Sequence, residues 1–152
     1  MAAARMAAAA LMFGLAVVLA VMPGAQAQVQ NLPQTQNDQA PELPLDHDAR
    51  VNGIGAACTG VGSDSRADPR WQDYSLKLEF AGAHGEYLGY VDVTLNQDGR
   101  QLARVRCPGP WLLFQLPPGH YALEAWVGQQ PAKFNATVPA RGQGRVVVHF
   151  PD

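Results

Sequence analysis

The stretch from Pro110 to Val127, PWLLFQLPPGHYALEAWV, constrains the fold of this chain more tightly than any other. Read at a period of two, Leu112, Phe114 and Leu116 fall on one side before the turn Pro117-Pro118-Gly119. Tyr121, Leu123 and Ala125 do so after it, with Gln115, His120 and Glu124 facing away. This is the pattern of two half-buried strands. Pro117 pushes Leu116 to extended geometry, Pro118 presets a turn φ and Gly119 tolerates a positive one, so the strands must part or reverse here. Both prolines lack the N–H that a tight ladder uses, which leaves open whether the strands pair as a hairpin or cross between sheets.

The same alternation recurs along the chain. Leu76, Leu78 and Phe80 alternate with Ser75, Lys77 and Glu79. In the next stretch, Tyr87 to Asn96, Val91, Val93 and Leu95 are expected inward and Tyr90, Asp92 and Thr94 outward. Asp98-Gly99 is a hairpin signal, because both positions accept positive φ, and Leu102 to Cys107 returns as the partner strand. A turn at residues 128–131 leads into Lys133 to Val138, and Arg145 to Phe150 forms a final strand. Seven short strands with frequent turns and no convincing helix predict an all-β fold, a seven-stranded antiparallel β-sandwich over residues 51–152, with a barrel as the alternative.

Leu116-Pro117-Pro118-Gly119-His120-Tyr121 resembles a signature of carboxypeptidase regulatory-like and transthyretin-like (prealbumin-like) domains. Together with CTGVGSDSRADPRW (Cys58 to Trp71) and CPGPWLLFQLPPG (Cys107 to Gly119), it is similar to a group of small secreted bacterial proteins carrying such a domain. The resemblance runs from about Gly53 onward and implies a sandwich of the carbohydrate-binding-like superfold, without implying a reaction. One enzyme of the transthyretin-like fold, hydroxyisourate hydrolase, has a C-terminal tyrosine-arginine-glycine-serine pattern. This chain has Val148-His149-Phe150-Pro151-Asp152 there, so that activity is not carried over.

Residues 1–27 read as a cleavable signal peptide: Arg5 supplies the basic start, Ala7 to Val21 the apolar region, and Ala25-Gln26-Ala27 a small-x-small cleavage site. Gly14 and the Pro23-Gly24 break weigh against an uncleaved membrane span. Residues 28–50 are rich in Gln, Asn, Pro and Asp and are expected to be a disordered linker. The two cysteines, Cys58 and Cys107, in an exported domain of this size predict a disulfide staple. The competing role, a reactive thiol, lacks a nearby base or a CxxC partner.

Candidate chemistry is sparse. Asp46-His47-Asp48 is a metal-ligand combination, but three adjacent residues in a flexible tail rarely make a site. His47, His84, His120 and His149 share no ligand spacing, so neither a metal nor a cofactor is expected. The glycines at 53, 55, 60 and 62 lack the spacing of a phosphate loop, and Asp64, Ser65 and Asp68 read as turn builders. Arg66 and Arg70 are expected to pair locally with acidic neighbours, and Trp71 to close one end of the sandwich. A Ser-His-Asp set assembled from Ser65, His120 and Asp68 has no supporting local motif. The sequon at Asn135 lies in an expected strand. Removing Arg5 from the eleven basic residues leaves ten against thirteen acidic ones. With Arg100, Arg104 and Arg106 as the nearest thing to a basic stripe, a nucleic-acid role is not expected.

Parity singles out a different group. If the inward sets above are buried, Trp111, Leu113 and Trp126 face outward, and with Tyr90 they form a candidate binding face for a sugar ring or an apolar protein surface. The alternative is that the segment Cys58 to Trp71 covers Trp111. The function expected is therefore a non-catalytic binding or accessory module of the bacterial envelope, periplasmic or secreted, with an envelope glycan or protein as partner and no stable membrane insertion. A small hydrolase using His120 or His84, and an adaptor pairing through an edge strand, are the alternatives.

Overall fold

The alternating residues of the double-proline stretch lie inside, as their period requires. In a computed structural model describing residues 39–151, Leu112, Phe114, Leu116, Tyr121, Leu123 and Ala125 are all at most 5 % exposed. The signal peptide expected over residues 1–27 and the part of the linker expected over residues 28–38 lie outside the described residues.

Two sheets pack face to face around these side chains. Sheet I contains β1 (Asp48–Val51), β2 (Ile54–Thr59), β3 (Leu76–Ala81), β6 (Trp111–Gln115) and β9 (Gly144–His149), in the order β1-β2-β6-β3-β9. Sheet II contains β4 (Val91–Gln97), β5 (Arg100–Cys107), β7 (Gly119–Val127) and β8 (Gln130–Val138), in the order β5-β4-β7-β8. The all-β sandwich is as expected, but the described residues hold nine strands rather than seven. The pairing is also not wholly antiparallel, since β3 and β9 run parallel.

The double-proline corner is a crossing between sheets, because β6 belongs to sheet I and β7 to sheet II. Side chains supply what the prolines cannot. Leu116 N–H donates to Ser75 Oγ at 2.7 Å, the Ser75 hydroxyl lies 2.8 Å from the Leu116 carbonyl, and the Tyr121 hydroxyl donates to the Pro117 carbonyl at 2.8 Å. The Asp98-Gly99 turn is as read, with φ of 50° and 75° joining β4 to β5.

The two strands beyond the expected seven are β1, which begins in the expected linker, and β2, among the glycines at 53, 55 and 60. Ala56, Ala57 and Cys58 of β2 are fully buried on both faces, so the strand shows no wet side and its small residues hide its period. Residues 39–50, assigned to the linker on composition, belong to the domain. Ala40 and Leu43 are 5 % and 4 % exposed, and the backbone from Pro41 to Asp46 bridges the two sheets. Leu43 N–H donates to the Arg106 carbonyl on β5, Arg106 N–H donates to Pro41, and Asp46 N–H donates to Cys58 on β2. Two apolar side chains and three backbone bonds offset the ordering entropy that composition alone made prohibitive.

Cys58 and Cys107 form the disulfide, with Cα atoms 5.4 Å apart, joining β2 of sheet I to β5 of sheet II beside this strap. It closes a loop across 49 positions and so removes about 4 kcal/mol of chain entropy from the unfolded state in the loop-closure model. Reduction, or the double substitution Cys58→Ala/Cys107→Ala, is therefore expected to lower unfolding free energy by roughly that amount, less any unfolded-state compensation. Denaturant midpoints with and without reductant measure it, and labelling of the oxidised protein is expected to find no free thiol.

Candidate functional site

The outer faces of the two sheets differ in what covers them. On sheet I, α1 (Ser63–Ala67) and a 3-10 turn (Pro69–Asp73) follow β2 and lie over the surface that parity points outward. Trp71, 3 % exposed, packs with Ala57 and Leu113, and Tyr74 packs against them. Trp71 thus covers a sheet face rather than closing an end of the sandwich. Its indole N–H donates to the Ser65 carbonyl at 2.8 Å.

This cover removes half of the expected binding face. Leu113 is fully buried and Trp111 is 8 % exposed. Trp111 is held between Lys77, whose Nζ lies 3.9 Å from the ring centroid, and Gly60. Gly60 has φ 94°, and a Cβ there would stand 2.8 Å from Trp111 Cγ, so both the turn and the contact require glycine. Parity correctly pointed these two side chains out of the sandwich core, but a second layer of chain hides them.

Beside Trp111 the cover is ionic. Glu79, 5 % exposed, accepts a bidentate pair from Arg145 at 2.8 and 2.8 Å, and Lys77 Nζ lies 2.8 Å from it. The Arg145 hydrogen bonds, opposed in part by burial, hold the Glu79 carboxyl below its ordinary range. A depressed folded-state pKa means stability that is present above the unfolded value, near 4.5, and is lost as pH falls through the lower folded value. Glu79→Gln is expected to cost about 2–3 kcal/mol at neutral pH, because Lys77 is left poorly compensated while Arg145 is more than half exposed. It is also expected to flatten the loss of stability below about pH 4.5, as read from urea midpoints across pH.

The other sequence candidates are drawn apart. Ser65 Oγ donates to Asp46 at 2.5 Å and sits 2.7 Å from Thr59 Oγ1, while Asp68 pairs with Arg70 at 2.7 Å and His120 Nδ1 lies 3.1 Å from Thr137 Oγ1. No Ser-His-Asp relay is assembled from these three. Asp46, His47 and Asp48 likewise turn to different partners: Thr59 and Ser65, the Leu45 carbonyl, and the Tyr74 hydroxyl. Among the described residues no group of three His, Cys, Asp or Glu side chains is placed to hold a metal. Arg70 pairs locally as expected, whereas Arg66 donates to the Gly60 carbonyl at 3.0 Å and lies over the Tyr87 ring.

Sheet II leaves its outer face open, and there the remaining candidates stand. Trp126 is 37 % exposed because Tyr121, Leu123 and Ala125 take the inward parity of β7. It lies directly opposite Asp92 on β4, and Asp92 lies opposite Arg106 on β5. Arg106 Nε and Nη2 each donate to Asp92 at 2.9 Å, fixing that carboxylate beside the indole. A groove of about 540 Å³ runs over this surface, lined by Asp92, Thr94, Gln101, Arg104, Trp126, Gly128 and Gln129. Tyr90, 65 % exposed with φ 56°, stands at the head of β4, two residues before Asp92, and does not line the groove.

Outward parity on β4 and β5 marks Asp92, Thr94, Arg104 and Arg106. Parity does not mark Gln129, which the tight turn after Val127, with Gly128 at φ 57°, brings to the groove. A second groove, about 420 Å³, lies at Asp48, Arg50, Asp73, Tyr74 and Gln115 on sheet I. Tyr74 is spoken for there: its hydroxyl donates to Asp48 at 2.5 Å, and burial first, then that bond, pushes its ionisation well above the usual tyrosine range.

The fold and this face together define a disulfide-stapled all-β sandwich with one covered and one open outer surface. The chain matches no protein-family model, and no curated protein matches it. Among the described residues no helix is long and apolar enough to cross a membrane.

Of the three tryptophans, Trp126 alone is substantially accessible. Acrylamide is expected to quench mainly its emission, leaving in Trp126→Phe a blue-shifted, weakly quenched remainder. Equal quenching of wild type and variant would show that the cover over Trp71 and Trp111 is loose.

Proposed function

We propose that this protein is a non-catalytic binding module of the bacterial envelope, exported and oxidised, that takes a glycan on the outer face of sheet II. The observation that carries the reading is the exposed indole of Trp126 set in a groove whose other side chains, Gly128 aside, are polar. A flat aromatic offers contact area at low entropic cost and suits the apolar face of a sugar ring, while neighbouring carboxylate, guanidinium and amide groups suit its hydroxyls. Such a mixture is a poor match for an apolar protein surface, which favours a dry, hydrophobic centre.

The disulfide supports an oxidising compartment, in keeping with the signal-like residues 1–27. Kinship with carboxypeptidase regulatory-like and transthyretin-like domains is part of the same proposal. It rests on the Leu116 to Tyr121 signature and agrees with the sandwich architecture.

Titration with soluble envelope glycans, followed by tryptophan emission and calorimetry, tests the reading. Trp126→Ala is expected to weaken binding by about 2 kcal/mol, roughly thirtyfold, as for a central aromatic anchor. His120→Ala, on the same sheet but outside the groove, is expected to leave it unchanged. Glycan binding that survives Trp126→Ala at full strength would place the site elsewhere.

A further inference from the structure

We infer that the Trp126 groove selects N-acetylated sugars, an assignment that rests on the glycan-binding reading above and narrows its ligand class. Apart from the Thr94 hydroxyl, the groove's polar side chains are planar: the Asp92 carboxylate, the Arg104 guanidinium, and the carboxamides of Gln101 and Gln129. Asp92 is held by the two bonds from Arg106, so its charge is already matched within the protein and does not call for a cationic ligand. Gln101 and Gln129 are exposed and reach the groove from two separate elements, β5 and the turn between β7 and β8. Each presents one acceptor and two donors in a single plane. Their natural complement is another amide, whose N–H and C=O pair with the carboxamide oxygen and nitrogen.

An acetamido substituent on a pyranose supplies that amide alongside an apolar ring face for Trp126 and a methyl group for the indole edge. A plain hexose offers only hydroxyls, each of which meets one donor or acceptor of a carboxamide, whereas an acetamido group meets both at once, so the two glutamines gain more from the N-acetylated sugar. The selectivity therefore comes from Gln101 and Gln129, and the common affinity from Trp126.

The test compares the β-1,4-linked trisaccharide of N-acetylglucosamine with that of glucose, by calorimetry on the oxidised protein. The N-acetylated trisaccharide is expected to bind about tenfold more tightly, the equivalent of about one added hydrogen bond. Gln101→Leu/Gln129→Leu is expected to abolish that preference while retaining weak binding of both sugars. Trp126→Ala is expected to weaken both in parallel. Equal affinity of the wild type for the two trisaccharides, or a preference undiminished in the double glutamine variant, overturns the inference and leaves the glycan-binding reading standing. Absence of binding to either sugar overturns both. Circular dichroism of each variant confirms that the sheets are intact, and Gln101→Asn/Gln129→Asn, which keeps the amides on shorter stems, is expected to restore part of the preference.

Discussion

The clasp at one edge of the sandwich, where Cys58 is bonded to Cys107 and the strap from Pro41 to Asp46 crosses over both strands, sets the relation of the two sheets. Sheets that meet only through apolar side chains can slide and rotate over one another, because burial is not directional. Here β2 and β5 are pinned covalently, and backbone bonds hold the flanking residues. Arg106 is part of this arrangement twice over. Its backbone is bonded to Pro41 and Leu43, and its side chain fixes Asp92 beside Trp126. The geometry of the open groove therefore depends on the same edge that holds the sandwich shut.

The contrast between the two outer faces follows from where the chain spends its non-strand residues. The segment between β2 and β3 folds back as α1 and a 3-10 turn, which cover Leu113, while Lys77 of β3 and Arg145 of β9 pair with Glu79 beside Trp111. The connections within sheet II, by contrast, are tight hairpins at Asp98-Gly99 and Gly128-Gln129. Tight hairpins leave nothing to lie across their own strands, so the aromatic at position 126 keeps its access to solvent.

Much of the interior was legible in the sequence because period-two alternation reports burial directly, and every inward residue of the double-proline stretch obeys it. What lay beyond it has particular causes. Parity told that Leu113 and Trp111 leave the sandwich core, and the layer over Trp111 matches the alternative in which the segment Cys58 to Trp71 covers it, a cover that alternation alone does not report. The strand β2 was invisible because alanine and cysteine fill both of its faces, and the strap was invisible because two well-placed apolar residues suffice where composition sees mostly proline and charge. Of the groove, Trp126 was legible, whereas Tyr90 stands outside it and Gln101 and Gln129 acquire meaning only through strand pairing and a turn.

The parallel pairing of β3 with β9 carries a kinetic corollary. Leu76 meets Gly144, so β9 enters sheet I only after the strands of sheet II have been laid down in chain order. Until then β3 presents bare backbone donors and acceptors along one side. Assembly of this molecule is thus dominated by distant contacts, which slows it and leaves the nascent chain sticky for as long as the intervening residues take to arrive.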